Sequence, residues 1–226
     1  MRTILLLVIA VGFAAPAFGQ AAAKQVLIMP VEFQVLELSA GGVLDVLPDE
    51  SEASKSVLQE AVSKRFESSK TYAVTDIPDL SPEDDALLAE YTALYNLVSQ
   101  EAVGRVGGGG WGHKKDAFDY TLGPGLAFLA ERTGADTAVF TGGHAMRSTG
   151  GRVLLAIAAA GAGFAIPMGN SNLSLAIVDL KTGDIQWLNA TQRLSVHDLE
   201  TPDSVDDLLA ALFKGFPNSK YHARIL

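Results

Sequence analysis

Residues 173–188, Leu-Ser-Leu-Ala-Ile-Val-Asp-Leu-Lys-Thr-Gly-Asp-Ile-Gln-Trp-Leu, read as two strands joined by a turn at Lys181-Thr182-Gly183-Asp184. The apolar β-branched run on one side, the return run carrying Trp187 and the Asp179…Gly183 spacing between them are the marks of a hairpin. Gly183 supplies the backbone freedom of a tight turn, and Asp179 can satisfy the amides that follow it.

Upstream of the hairpin, residues 136–141 form an apolar strand that the Gly142-Gly143 pair is expected to end. Before it, residues 123–133 read as a short helix stopped by Gly134. Ser81-Pro82-Glu83-Asp84 opens an earlier helix with a cap, a first-turn proline and acids at the positive end of the dipole. Leu87, Leu88, Tyr91, Leu94, Tyr95 and Val98 make its apolar stripe, with Gly104 as its stop. Earlier still, residues 25–29 and 31–38 are strands, residues 43–47 a short partner strand, and residues 71–77 a β-rich stretch. Asp49 with Glu52 three residues on resembles a capping box. It leads a helix whose stripe is Ala53, Val57, Leu58, Ala61, Val62 and Phe66. Downstream, Thr201, Pro202 and Asp203 start a final helix with Val205, Leu208, Leu209, Leu212 and Phe213 on one face, ended by Gly215.

Strands separated by helices require some parallel pairing, and the late hairpin adds an antiparallel part. The expected fold class is therefore α/β, a three-layer-like mixed β-sheet covered by helices, with a late antiparallel hairpin.

The first nineteen residues carry a positive start at Arg2, an apolar run over residues 5–15 and small residues at Ala15-Pro16-Ala17-Phe18-Gly19. This is the pattern of a cleaved signal peptide, residues 1–19, and the apolar run falls short of the ~20 residues that span a bilayer. Residues 20–226 then form one domain. Removal of the leader takes away Arg2 and leaves a formal charge of −10, against −9 for the whole chain. An acidic chain disfavours nucleic acid as a partner. With no cysteine, disulfides, zinc-thiolate sites and thiol catalysis are excluded together, so the fold rests on its apolar core, which 48% hydrophobic residues can supply.

Three segments together resemble a known group of proteins: the early strand running into Met29-Pro30-Val31, the stretch Ala130-Glu131-Arg132-Thr133-Gly134-Ala135-Asp136-Thr137-Ala138-Val139-Phe140-Thr141-Gly142, and the hairpin through Trp187. The chain is similar to bacterial cell-envelope proteins of the CsgG-like group: the curli secretion channel, the lipoproteins that activate peptidoglycan synthases and the amino-terminal domain of TolB. In that group a helix ends at Gly-Ala-Asp before a strand, and a later strand ends in Val-Asp-x-x-Thr-Gly before a return strand carrying Trp. The resemblance spans about residues 25–215. It implies a non-enzymatic interaction or assembly protein, secretion-related, located in the periplasm and associated with the outer membrane. The implied partners are an envelope protein or a second copy, with peripheral membrane contact as a further role and no cofactor. The lipid-anchor cysteine common in the group is missing.

Two insertions depart from the group. Residues 104–116 form a glycine-rich loop, Gly-Arg-Val-Gly-Gly-Gly-Gly-Trp-Gly-His-Lys-Lys-Asp. Its G-x-G-x-x-G match, from Gly107 to Gly112, does not leave a strand for a helix as a nucleotide loop does, so a surface loop is expected. Trp111 and His113 are candidate contact residues on it. Residues 152–168 form an apolar insertion whose sixteen residues from Val153 onward carry no charge; Phe164 is its candidate contact residue. The insertion could lie in the core, pack against a second subunit or touch a membrane; its lack of alternation argues against a barrel hairpin.

Signals for catalysis and metal binding are sparse. His113, His144, His197 and His222 lack the paired spacing of a helical metal site, no G-x-S-x-G is present, and the acid pairs Glu83-Asp84 and Asp206-Asp207 sit in first helical turns. A hydrolytic or other enzymatic role would have to draw on such residues as His144 with Asp136. The alternative to an assembly protein is a small-molecule or glycan-binding module with the 104–116 loop as its lid.

Overall fold

The structure is a computed structural model that describes residues 23–107, 118–169, 171–191, 202–213 and 223–225, together with Lys114, Leu199 and Phe216. The leader, Trp111, His113, His197, Thr201, Gly215 and His222 lie outside the described residues.

Among the described residues an 8-stranded mixed sheet organises the fold. Its strands are β1 (Lys24–Ile28), β2 (Glu32–Leu38), β3 (Leu44–Val46), β4 (Tyr72–Thr75), β5 (Thr137–Ser148), β6 (Asn172–Asp179), β7 (Ile185–Thr191) and β8 (Ala223–Ile225). The helices are α1 (Pro48–Glu67), α2 (Pro82–Gly107), α3 (Ala127–Thr133), α4 (Gly150–Gly161) and α5 (Pro202–Leu212). Strand β5 is the hinge of the topology. Along one edge it pairs in parallel first with β1, through Val26 to Ile28, and then with β2, from Glu32 to Leu38. Between them Pro30, which has no N–H to give a ladder, interrupts what is otherwise one strand. β4 flanks β1 in parallel, and β3 flanks β2 antiparallel. On the other edge of β5 lie the antiparallel strands β6 and β7, then β8 in parallel.

The hairpin of β6 and β7 forms as its sequence dictates. Asp179 Oδ1 accepts from the backbone N–H groups of Lys181 at 2.9 Å and Thr182 at 3.0 Å, and Gly183 has φ of 77°. A side chain at Gly183 would also collide with the Gly123 carbonyl, whose oxygen lies 2.0 Å from where a Cβ would sit, so the turn packs against the segment that precedes α3. The register slips between Ile177 and Val178, which leaves Gln186 opposite no partner and turns Trp187 to the same face as Ile177.

Each face of the sheet carries its own core. Val26, Phe33, Val35, Val139, Leu175, Ile177 and Trp187 face α1 and α5. There Trp187 stacks on Phe213 with centroids 6.0 Å apart, and Phe66 meets Tyr72 and Phe213 edge-on. Leu27, Met29, Ala138, Phe140, Ala176, Val178 and Leu188 face α2 and α3. The result is three layers, helix, sheet and helix, as the residue pattern implies.

Five local expectations are corrected. Strand β5 does not stop at Gly142-Gly143 but runs on to Ser148. Those glycines serve close approach: a Cβ on Gly142 would lie 1.8 Å from Asn96 Oδ1, and one on Gly143 2.2 Å from the Asn172 carbonyl. Helix α2 passes Gly104 and continues to Gly107. Helix α1 starts at Pro48 with Leu47 as N-cap and no side-chain cap, so the Asp49 and Glu52 box does not form. A first-turn proline has no N–H needing a cap. Its buried stripe begins at Ser51 and Ser54 before Leu58, Val62 and Phe66, while Ala53 is exposed. Ser51 Oγ accepts from the Val35 N–H at 2.9 Å and donates to the Leu47 carbonyl, tying the helix start to β2. In α2, Leu94 likewise turns outward, and the buried line is Leu88, Thr92, Tyr95, Ser99, Ala102 and Val103.

Candidate functional site

Two features gather at the end of the sheet where β5 finishes. The first is an arm made by the apolar insertion. Thr149 caps α4, its hydroxyl accepting from the Arg152 N–H at 3.2 Å. The helix then runs about 18 Å at 1.5 Å per residue. It closes at Gly163, φ 84°, where the N–H of Phe164 donates to the Ala159 carbonyl and that of Gly163 to Ala160, a Schellman-like end. The chain returns without regular structure to Met168, whose carbonyl accepts from Ser148 Oγ at 2.9 Å.

Arg152 locks the base of this arm. The side chain is only 8% exposed; Nε donates to the Pro167 carbonyl at 3.0 Å and Nη1 to the Ser39 carbonyl at 3.2 Å, while Nη2 also reaches Pro167. One guanidinium thus joins the two legs of the arm to the turn between β2 and β3. Beside it, Arg147 is held by Glu37 at 3.1 Å and Glu50 at 2.9 Å.

Beyond the base, the arm is bare. Leu154 is 69% exposed, Ile157 64% and Phe164 71%, and Val153, Leu155 and Met168 are exposed as well. Of the three placements left open for this insertion, the core is excluded, because helices already cover both faces of the sheet and the segment starts only where the sheet ends. Val43, Leu44 and Val46, in and before the short edge strand β3, are exposed too, and β3 is joined to β2 by the turn that Arg152 holds. Among the described residues no helix is long and apolar enough to cross a membrane.

The second feature is a polar cleft on the α2 side of the sheet, of about 230 Å³, bordered by Ser99, Gln100, Val103, His144, Asn172 and Ser174 with Ala190. Register explains it. On this face the strands present Phe140, Ala176 and Leu188 in one row, then Gly142, Ser174 and Ala190, then His144 beside Asn172. In the middle row Asn96 of α2 covers Gly142, while the small side chains of Ser174 and Ala190 leave the floor low; the last row is polar. Under the floor, Ser174 Oγ lies 3.0 Å from the Tyr95 hydroxyl and 3.3 Å from Ser99 Oγ and donates to the Gly142 carbonyl at 3.1 Å. Complete burial holds the Tyr95 phenol far above its ordinary pKa, so this network is uncharged.

The candidate contact residues of the glycine-rich loop, Trp111 and His113, lie outside the described residues; Phe164 is placed on the exposed arm, just after its turn. His144 and Asp136 are not brought together: Asp136 immediately precedes β5 and His144 lies eight residues on within it, roughly 26 Å away along the strand. Asp136 instead pairs with Lys181 at 2.9 Å and raises that ammonium's pKa. Among the described residues no group of three or more His, Asp and Glu side chains is placed to hold a metal ion. Sequence reasoning missed Arg152 as a clamp, and Gln100, Asn172 and Ser174 as cleft residues. Asn172 and Ser174, polar at period two in an apolar strand, were the available signal for the latter.

No family model and no curated protein matches the chain. Among solved structures it is similar to the lipoprotein GNA1162 from Neisseria meningitidis, with 11% identity over 87% of this chain and 98% of that one, at a TM-score of 0.35.

Proposed function

We propose that the chain is an exported, non-enzymatic interaction and assembly protein of the bacterial cell envelope, and that the α4 arm is the element by which it docks. The observation that carries this reading is the bare apolar arm on a rigid clamp. Residues 153–168 have no polar side chain, yet their large residues face solvent. A helix apolar on every side belongs in a protein interior or in lipid, not in water. The Arg152 clamp and both helix ends are satisfied within the chain, so the arm is formed before any partner arrives.

The composition of the arm favours a protein surface over a membrane surface. A helix lying in a lipid interface keeps a charged face for the headgroups, which α4 lacks. Close to its base stand Glu37 and Glu50, which hold Arg147, and Asp45, opposite Glu37 on β3; this acidic surround repels anionic lipid. The resemblance to CsgG-like envelope proteins and the signal peptide supply the location in this reading, the periplasm in association with the outer membrane.

Fractionation of cells producing the protein tests it, alongside a variant carrying Leu154→Glu and Ile157→Glu. The native chain is expected in a large assembly or with the outer-membrane fraction, and the folded variant in the soluble periplasm as a small species. A native chain that is a soluble monomer in the periplasm, sized under mild detergent, defeats the reading.

A further inference from the structure

We infer that the cleft between α2 and the ends of β5 and β6 is a binding site for an uncharged, hydroxyl-bearing ring compound the size of a single sugar unit. The inference is separate from the docking role of the arm and rests on three properties of the cleft.

The first is shape. Ser174 and Ala190 stand side by side on adjacent strands, and these two small side chains floor a depression that α2 walls with Ser99, Gln100 and Val103. Its volume of about 230 Å³ lies below the ~300–1,000 Å³ typical of drug-sized ligands, which admits one ring and not an oligomer.

The second is unused hydrogen-bonding capacity. Gln100, His144 and Asn172 converge on the cleft, and none of the three side chains bonds to another described residue. Two carboxamides and an imidazole offer donors and acceptors together, which is the requirement for hydroxyls, each of which both gives and takes a proton. By contrast the hydroxyls beneath them, Ser174, Ser99 and Tyr95, are already engaged with one another, so they fix the floor in place.

The third is charge. Among the described residues the lining contains no Asp, Glu, Lys or Arg, although the chain as a whole is acidic. A phosphate or carboxylate ligand would enter without a cation to meet it, at a desolvation cost that a neutral ring escapes. Val103 and Ala190 add an apolar patch for the C–H face of such a ring.

Glucose and N-acetylglucosamine, titrated into the folded protein and followed by nuclear magnetic resonance, are the probes, with glucose 6-phosphate as the charged comparison. The expected result is a saturable shift of the Gln100 and Asn172 side-chain amides and of the His144 ring with at least one neutral sugar. Gln100→Ala, on an exposed helical position that tolerates Ala, and Asn172→Ala together are expected to weaken that affinity about tenfold. The Leu154→Glu, Ile157→Glu variant is expected to bind as the native chain does, so failure of the docking role leaves this result intact. Absence of saturable shifts with both neutral sugars, stronger binding of the phosphorylated one, or affinity unchanged by the two alanine substitutions would each overturn the inference.

Discussion

Gly142 illustrates how one missing side chain sets the distance between two layers. Tyr95 lies fully buried against Phe140, and the next residue of the helix, Asn96, has its Oδ1 where a Gly142 Cβ would be, 1.8 Å away. That oxygen is buried and has no hydrogen-bond partner in the described structure. Gly142→Ala is therefore expected to cost about 1–3 kcal/mol, the usual range for overpacking. Asn96→Ala removes the obstruction together with a buried acceptor that gains nothing, so alone it is expected to be close to neutral. In that background Gly142→Ala should cost markedly less, and a double-mutant cycle by urea denaturation reads the coupling directly. Additive costs would mean that the glycine serves some other contact. Arg152 works at the same scale but on a local part of the chain. Arg152→Met leaves the Pro167 and Ser39 carbonyls without their donor. The expected outcome is faster hydrogen exchange in α4 with little change in global melting, because the arm lies outside both cores. Arg152→Lys should recover only part of the protection, since an ammonium cannot present the fork that reaches both carbonyls.

Elements whose ends are written in short-range chemistry were the legible ones. The hairpin could be read because Asp179 and Gly183 determine its turn by themselves, and the start of α2 because Ser81 acts within four residues. Ser81 Oγ accepts from the Asp84 N–H at 3.2 Å and donates to the Asp84 carboxylate at 2.8 Å, while Arg132 from α3 reaches the same carboxylate at 2.7 Å. The Ser81 hydroxyl first, and Arg132 second, hold the Asp84 carboxyl below its ordinary pKa. A carboxyl so depressed contributes stability above its unfolded pKa and loses it as pH falls through the folded one. Ser81→Ala is accordingly expected to cost about 1 kcal/mol near neutrality, and the part of that cost owed to the charged carboxylate should vanish in acid; denaturant titrations of both proteins across that pH range measure it. Other features depended on partners far along the chain. Gly142 and Gly143 look like a strand terminator until α2 and β6 are placed against them. The cleft floor of Ser174 and Ala190, with His144 beside Asn172 at its end, exists only through cross-strand register, which no strand shows alone. The 153–168 segment, apolar without a period, could not be assigned to core or surface, because exposure depends on whether the sheet still has an uncovered face, and here it has none.

At the scale of the whole molecule, β5 couples two cores that otherwise share no side chain. Val139 and Ala145 belong to the face covered by α1 and α5, and Ala138 and Phe140 to the face covered by α2 and α3. The strand is hydrogen-bonded along both edges, to β1 and β2 on one and to β6 on the other. Damage to either core must therefore reach the other through the backbone of this strand and its neighbours. Trp187 provides a reporter for one side only: it is buried against Phe213 and Phe216 on the α1 and α5 face. With Trp111→Phe as the background, Trp187 is the sole tryptophan of the chain. Phe140→Ala, on the opposite face, removes a fully buried ring that packs on Tyr95, at an expected cost of about 3–5 kcal/mol. If the two cores form one cooperative unit, the Trp187 fluorescence midpoint in urea falls with Phe140→Ala by the same amount as the far-ultraviolet circular dichroism midpoint, and the two curves superimpose. If the faces unfold separately, circular dichroism acquires an early phase while the Trp187 transition stays where it was, and the coupling assigned to β5 is wrong.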